Sequence, residues 1–302
     1  MFFGSDNFAL YSLKSLLNEH KHTNTIKVLD VVTNSNKNPI WKYSEEHKLN
    51  IINWPPEIYQ NYYDLGVVVS FGYLIPEQII NKFKIGMLNV HASLLPRWRG
   101  AAPIIYALAN GDRETGVTVM QIKPKKFDIG EVLMQRKVSI SDNMTMPELH
   151  KILGHLGAEC LVETIRNLEG YLLNCKPQSS EGITYAPKIT PEFARIKWNR
   201  MTSKDIYNLA RALEGIHHLT TNWGDISLKL IDISIDNNIY PSKEPGSLEY
   251  VRSQNILRIE CAKRTFIKIS RIGIPGKKVM SANDFNNGFL KKQAVDQIYT
   301  FK

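Results

Sequence analysis

Several features that would define a function are missing from these 302 residues. The three cysteines, Cys160, Cys175 and Cys261, lie far apart, and none belongs to a CxxC pair or has a histidine at metal-ligand spacing. This pattern argues against a disulfide framework or a zinc site and favours incidental thiols in a reducing compartment. No run of about 18 apolar residues occurs, which argues against a membrane-spanning helix.

Little sequence precedes the first structural motif. MFFGSD is typical of a strand that turns into a helix, and no Arg-rich or signal-like leader stands before it. A first strand of the usual length, about five or six residues, does not fit ahead of that turn. We therefore expect that upstream residues are missing here, and the alternative is a cytosolic protein that begins at this methionine.

The net charge of +9 is unevenly distributed along the chain. Residues 1–187 carry 19 Lys and Arg against 18 Asp and Glu, whereas residues 188–302 carry 19 against 11. A basic module attached to a nearly neutral one favours a polyanionic partner, with nucleic acid as the leading candidate. From charge alone, a basic surface that serves only solubility explains the excess equally well.

The first part of the chain alternates short apolar runs with helical stretches. The runs expected to be strands span residues 28–32, 65–69, 87–90 and 116–122. Segments with helical periodicity span residues 5–19, 77–83, 102–109 and 145–168. The run at 65–69 has no polar alternation, which is typical of a parallel strand buried on both faces. This alternation predicts an α/β domain on a doubly wound, mostly parallel sheet.

The pattern changes after about residue 170. Residues 175–198 are rich in Pro, Ser and Gly and have the composition of a linker. A helical segment at 203–213 follows, and short strands separated by turns then indicate a small β-barrel or sandwich. We predict a catalytic domain over residues 1–190 and a linker plus basic β domain over residues 191–302.

Two polar side chains end one of the predicted buried strands. Asn89 and His91 are two residues apart, so both project to the same side of an extended backbone. Ligands of open α/β sheets bind at the carboxyl ends of the strands. Asp128 follows the next predicted strand and is placed to hydrogen-bond the imidazole and fix its tautomer. Structural roles are common for such residues, so spacing alone leaves a catalytic site as one of two hypotheses.

Longer motifs around these residues carry a resemblance. NVHASLLPRWRGAAPI and NGDRETGVTVMQIKPKKFDIGEVL resemble the signature of methionyl-tRNA formyltransferases, and TYAPKI, IKW and GKKVMSANDF extend it into the second predicted domain. A shorter core, Asn-x-His-x-Ser-Leu-Leu-Pro with a downstream Asp-x-Gly, also resembles glycinamide ribonucleotide and aminosugar formyltransferases. The resemblance implies a Rossmann-like formyltransferase fold followed by an OB-like β-barrel.

The resemblance also implies roles for individual residues. The family's catalytic asparagine, histidine and aspartate fall on Asn89, His91 and Asp128. Its folate-binding stretch falls on four consecutive residues: Ser93, Leu94, Leu95 and Pro96. In that family, 10-formyltetrahydrofolate gives its formyl group to an amine through a tetrahedral oxyanion. Asn89 and a protonated His91 would donate to the oxyanion, His91 would relay a proton, and Asp128 would orient the imidazole. No metal is required.

Initiator methionyl-tRNA is the acceptor that the resemblance implies. We expect phosphate contacts from Arg97 and Arg99 in the loop after the strand, and from Lys277 and Lys278 in the GIPGKK turn. A structural loop contact is the alternative for the two arginines. Trp98 between them is expected to pack rather than to stack on a base.

The region after the second predicted strand departs from the bacterial pattern. VVTNSNKNPIWKYSEEHKLN is shorter and less basic than the loop that bacterial members carry there, and it resembles the animal mitochondrial type. We therefore expect a monomeric enzyme of the mitochondrial matrix, with a cytoplasmic location as the alternative.

Three other functions compete with this interpretation. A formyltransferase for a nucleotide sugar or glycinamide ribonucleotide would not need the basic β domain. A non-catalytic tRNA- or folate-binding protein would not need Asn89, His91 and Asp128 together. Hydrolysis of formyl-folate would use water in place of the amine.

Overall fold

Seven strands of the first part pair into one sheet in a computed structural model that describes residues 1–291 and 299–302. The strands are β1 (Phe2–Gly4), β2 (Val31–Thr33), β3 (Ile51–Asn53), β4 (Leu65–Val69), β5 (Gly86–His91), β6 (Glu114–Gln121) and β7 (Val132–Ser139). Their order is β3-β2-β1-β4-β5-β6-β7. Neighbouring strands from β3 to β5 run parallel, and β6 is antiparallel to both β5 and β7. The predicted mostly parallel sheet is confirmed.

The middle strands are buried because their side chains are apolar on both faces. In β4, Val67, Val68 and Val69 are at most 7% exposed, as expected for a strand covered on both sides. An apolar cluster beside this strand contains Phe3, Phe71 and eight other buried side chains. The position of β5 next to β4 therefore places the residues that end β5 on a rigid part of the sheet.

Helices connect the strands, and several of them begin at a capping side chain. They are α1 (Asn7–His22), α2 (Pro39–Glu46), α3 (Glu77–Ile80), α4 (Pro103–Ala109), α5 (Met146–Arg166), α6 (Leu168–Leu173), α7 (Ser203–Ala212) and α8 (Ala282–Phe285). Asp6 caps α1 by accepting from the backbone N–H groups of Phe8 and Ala9, both at 3.0 Å. Thr202 and Asp205 form a reciprocal capping box on α7. Short 3₁₀ turns lie at Pro191–Ala194 and Ala262–Arg264, and a π-helical turn lies at Asn286–Leu290.

The strands of the last third are all antiparallel. They are β8 (Leu219–Trp223), β9 (Ile226–Ile231), β10 (Ser234–Asp236), β11 (Leu248–Val251), β12 (Ile256–Cys261), β13 (Thr265–Ile269), β14 (Arg271–Gly273) and β15 (Met280–Ser281). They form two four-stranded sheets with the orders β10-β13-β12-β11 and β15-β14-β9-β8. The predicted β domain is thus present, and the described strands pair into two sheets rather than into one closed barrel.

The backbone divides into two units whose boundaries interleave. The first unit contains Met1–Tyr106, Arg113–Asp142 and Pro147–Lys188. The second unit contains Ala107–Asp112, Asn143–Met146 and Ile189–Lys302. Within the described part of the chain, no helix combines the length and the hydropathy that a membrane crossing requires.

Candidate active site

The carboxyl end of β5 carries Asn89 and His91, as the two-residue spacing predicts. His91 is 6% exposed and lies opposite Thr118 of β6, whereas Asn89 is half-buried. Both side chains project to one side of the strand because side chains alternate along an extended backbone. The strand therefore presents an amide and an imidazole next to each other at the edge where α/β sheets bind ligands.

The loop between β6 and β7 brings Asp128 to these two residues. One carboxylate oxygen, Oδ1, accepts from the Asn89 amide nitrogen at 3.3 Å, and the other, Oδ2, accepts from the backbone N–H of Gly100 at 2.8 Å. Asp128 is 8% exposed and has φ +54°, a left-handed conformation that Asp adopts more readily than most residues. The structure thus brings together the three residues that the motif singled out.

Both nitrogens of the His91 ring face oxygen atoms of the protein. Nδ1 lies 3.6 Å from Asp128 Oδ1, and Nε2 lies 2.9 Å from the backbone oxygen of Trp98. The first distance exceeds an ordinary hydrogen bond, so the contact with Asp128 is electrostatic. The contact of His91 with the Trp98 carbonyl was not indicated by the sequence.

Glycine is required where the loop after β5 meets a later segment. Gly100 has φ +121°, and a Cβ on it would lie 2.6 Å from the backbone oxygen of Ala186. Gly130, which ends the Asp-Ile-Gly turn, is packed even more closely, because a Cβ there would lie 1.7 Å from the backbone oxygen of Gln121. These two close approaches fix the backbone at Gly100, which donates to the Asp128 carboxylate, and the backbone two residues after Asp128.

The stretch expected to bind folate is held from beneath by β6 and β7. Thr118 donates its hydroxyl to Ser93 O at 2.7 Å and accepts from Leu95 N at 3.1 Å. Gln135 donates to Leu95 O at 2.8 Å. Ser93 and Leu95 are buried, whereas Leu94 and Pro96 are half-buried. The backbone of residues 93–96 is therefore held in place by these hydrogen bonds. Leu94 and Pro96 are the two residues of this segment whose side chains keep exposed surface that a ligand could contact.

The two arginines of the loop are already engaged within the protein. The Arg97 guanidinium lies over the Trp98 ring, 4.5 Å from its centroid. Arg99 donates from Nε and Nη2 to the side-chain oxygen of Gln178 at 3.1 and 2.7 Å. Trp98 is 9% exposed and lies against Tyr106 at a centroid distance of 5.5 Å, which is the packing role expected for it.

Part of the expected linker belongs to this site. The backbone of Arg99 donates to Thr184 O at 2.9 Å and accepts from Ala186 N at 2.7 Å, while Trp98 N donates to the Thr184 hydroxyl at 2.8 Å. Gln178 also belongs to this segment, and its side-chain nitrogen donates to the backbone oxygen of Asp128 at 2.9 Å. The Pro-, Ser- and Gly-rich composition concealed these roles because loop composition does not distinguish a linker from an ordered segment that packs on a site.

The two lysines expected to contact phosphates do not belong to the loop after β5. Lys277 and Lys278 are exposed in the turn between β14 and β15 of the second unit, and Lys277 Nζ lies 5.3 Å from the centroid of the Phe289 ring. Near Asp128, Lys125 and Lys126 are exposed, and Lys125 lies 3.7 Å from Glu77.

Two family models match most of the chain. One, described as formyl transferase, matches residues 19–165, and the other, the formyl transferase C-terminal domain, matches residues 188–290. The mitochondrial methionyl-tRNA formyltransferase of Bos taurus is 40% identical over 96% of this chain and 77% of its own length. The methionyl-tRNA formyltransferase of Clostridium perfringens is 32% identical over 95% of this chain and 96% of its own length.

Solved structures share the fold at lower identity. An N-formyltransferase from Helicobacter canadensis, in complex with folinic acid and dTDP-3-aminofucose, superimposes with a TM-score of 0.66 and 20% identity. The match covers 89% of this chain and 97% of that one. At this identity the likeness shows a common architecture.

Proposed function

The chain belongs to the methionyl-tRNA formyltransferase family, and from this premise we propose how it transfers a formyl group from 10-formyltetrahydrofolate to the α-amino group of methionyl-tRNA. The resemblance expected from the motifs is confirmed by relatives that match along nearly the whole chain. The observation that carries the proposed mechanism is the convergence of Asn89, His91 and Asp128 at the end of β5.

Asn89 is the proposed donor to the tetrahedral oxyanion. Its amide nitrogen has two hydrogens, of which one bonds Asp128, so the second is available to the oxygen of the formyl group. When the amine attacks, that oxygen gains negative charge, and a fixed donor stabilises it more than the uncharged starting state. A single such donor contributes about 3–4 kcal/mol in well-studied acyl transfer.

His91 is proposed to transfer a proton and to stabilise the negative charge of the oxyanion. The attacking amine must lose a proton, and N10 of the folate must gain one when the carbon–nitrogen bond breaks. We propose that His91, held between Asp128 and the Trp98 carbonyl, takes the proton that the amine loses and then gives it to N10. While His91 holds this proton, its positive charge lies beside the oxyanion. Atoms then balance without a covalent bond to the enzyme.

The segment of Ser93, Leu94, Leu95 and Pro96 is proposed to support the folate co-substrate. Leu94 and Pro96 offer apolar side-chain surface in the segment that follows His91, which suits a flat heterocycle. The backbone of Leu95 is fixed through both its N–H and its C=O, so the segment loses little entropy when a ligand binds.

Four cations are proposed as contacts for tRNA phosphates. Arg97 and Arg99 stand in the catalytic loop, and Arg99 would use the nitrogen that Gln178 does not engage. Lys277 and Lys278 are exposed in the basic second unit. When a protein neutralises several phosphates, log Kd rises linearly with log salt concentration. The slope is about one for each phosphate contact. K277A/K278A should therefore lower the slope of log Kd against log salt, and an unchanged slope would remove both lysines from the interface.

The mammalian relatives are named mitochondrial, and we propose the same location for this enzyme. Expression of the full transcript with a fluorescent C-terminal tag tests this location, and uniform cytoplasmic fluorescence would contradict it.

Formyl transfer is tested by following the formyl carbon. The protein is mixed with [¹⁴C]10-formyltetrahydrofolate and, in parallel, with methionyl-tRNA, a 3-amino sugar nucleotide, glycinamide ribonucleotide or water alone. We expect label on the amino acid of methionyl-tRNA and none above background on the other acceptors. Label on a small amine or release as formate, without labelled methionyl-tRNA, would overturn the proposal.

A further inference from the structure

One side-chain amide links the two loops that form the site. The nitrogen of Gln178 donates to the backbone oxygens of Asp128 and Gly130 at 2.9 and 3.0 Å. Its oxygen accepts from Nε and Nη2 of Arg99 at 3.1 and 2.7 Å. Two hydrogens and two lone pairs are the full capacity of a primary amide, so Gln178 is saturated and its orientation is fixed.

The segment that Gln178 holds needs such support. Asp128 has φ +54°, and the residues before it, Lys125, Lys126 and Phe127, are exposed. The carboxylate of Asp128 is fixed by Asn89 and by a backbone N–H, but these bonds act on the side chain alone. The Gln178 bonds act on the main chain at Asp128 and two residues later, where the carboxylate's point of attachment is set.

We propose that Gln178 is a positioning residue for Asp128. By fixing the backbone around Asp128, it keeps the carboxylate 3.6 Å from His91 Nδ1 and within hydrogen-bonding distance of Asn89. Arg99 then has a second role, because its guanidinium turns the Gln178 oxygen away from the two carbonyls. The inference rests on the proposed function, because Gln178 acts only through the role proposed there for Asp128. Gln178 itself is given no contact with either substrate.

The test compares two substitutions of Gln178. Gln178→Glu keeps an acceptor for Arg99 but turns an oxygen toward the carbonyls of Asp128 and Gly130. Gln178→Ala removes these bonds together with the weak contact of the Gln178 nitrogen with Met120 Sδ at 3.8 Å. Displacement of a catalytic group by about 1 Å lowers rates by on the order of a hundredfold. We expect kcat for methionyl-tRNA formylation to fall at least about tenfold in both variants, with KM for methionyl-tRNA unchanged within about twofold.

The matched control is Gln60→Glu. Gln60 is exposed in the same unit and donates to the backbone oxygen of Asn81 at 2.8 Å, so this change introduces the same charge and removes the same kind of bond away from the site. Its kcat should equal that of the wild type. A wild-type kcat in Gln178→Glu would overturn the inference, because only the link to Arg99 survives there. If Gln178→Ala fails to fold, Gln178→Glu decides the question.

A double-mutant cycle separates positioning from general destabilisation. If Gln178 acts through Asp128, Gln178→Ala should lower the single-turnover rate of Asp128→Asn by less than about twofold. An equal loss in both backgrounds would show that Gln178 acts independently, and would overturn the inference. Absence of formylated methionyl-tRNA from the wild-type protein would instead refute the proposed function itself.

Discussion

Replacement of Asp128 by asparagine tests the charge of the site with little change of shape. Asp128 Oδ2 accepts from Gly100 N at 2.8 Å, and the substituted side chain can keep this bond with its amide oxygen. The new NH2 group then faces His91 Nδ1 and the Asn89 amide in place of Oδ1. A neutral imidazole can accept from that group, whereas an imidazolium would meet another donor. In the proposed mechanism His91 becomes positively charged when it takes the proton of the amine, so Asp128→Asn removes the negative charge that stabilises this form.

The magnitude follows from the distance between Nδ1 and Oδ1. At 3.6 Å and an effective dielectric constant of about 20, unit charges attract by about 4–5 kcal/mol. Desolvation of the carboxylate offsets part of that energy. We expect about 2–4 kcal/mol less stabilisation of the transition state, which corresponds to a fall in kcat of about thirtyfold to a thousandfold.

The assay is single-turnover formylation of methionyl-tRNA at saturating enzyme and folate, with urea unfolding on the same samples. The free energy of unfolding should fall by no more than about 1–2 kcal/mol, since the Gly100 bond survives and the bond from Asn89 is lost. Asp64→Asn serves as the control, because Asp64 forms an exposed ion pair with Lys84 at 3.0 Å and such pairs contribute little. If Asp128→Asn turned over within about threefold of the wild type, the charge of Asp128 would not be part of the mechanism.

Two further predictions concern the scaffold around the site. Gly130→Ala should destabilise the protein by about 1–3 kcal/mol and impair turnover, since its Cβ would overlap Gln121 O at 1.7 Å; Gly288→Ala, with no atom within 4 Å of the new Cβ, should be tolerated in the same urea and activity assays. Arg166→Ala should lower the free energy of unfolding at pH 7, because the hydrogen bond from Arg166 is the main cause of the lowered pKa of the buried Glu19 and its loss leaves that carboxylate with less compensation. A carboxyl group with a lowered pKa stabilises the fold at pH values above its unfolded pKa of about 4.3, and this stabilisation is lost as the pH falls through the folded pKa. The difference in free energy of unfolding between variant and wild type, measured with urea, should therefore shrink at pH 4 and below. An equal difference at pH 7 and pH 3.5 would contradict this reasoning.

Secondary-structure elements that depend only on the apolar pattern and capping residues of a short segment were predicted correctly from the sequence. The Val-rich run predicted as a strand at 65–69 is β4 with the same limits, and the helix predicted over 203–213 is α7, capped by Thr202. The helix over 145–168 appears as α5 and α6. In each case the apolar period and the cap are properties of a short segment, so the sequence contains the required information.

Strands fixed by their neighbours were less predictable. The run at 28–32 was expected to be a strand, but β2 spans Val31–Thr33, and Val28 is 53% exposed. Pairing of Phe2 with Val31 on one side and of Val31 with Ile51 on the other sets these limits. β7 was not predicted at all, because half of its residues are polar, three of them exposed, and its place follows from pairing with β6.

For the site, the sequence by itself determined which chemical groups are present and that Asn89 and His91 share one side of a strand, because that relation spans two residues of regular backbone. Tertiary structure decided everything that depends on backbone atoms from distant segments. The Trp98 carbonyl that faces His91 and the two carbonyls that Gln178 holds are such atoms. Every residue has a carbonyl, so no sequence pattern marks the ones that face the site. Only the folded chain selects them, by bringing a segment some fifty residues away against the loop that carries Asp128.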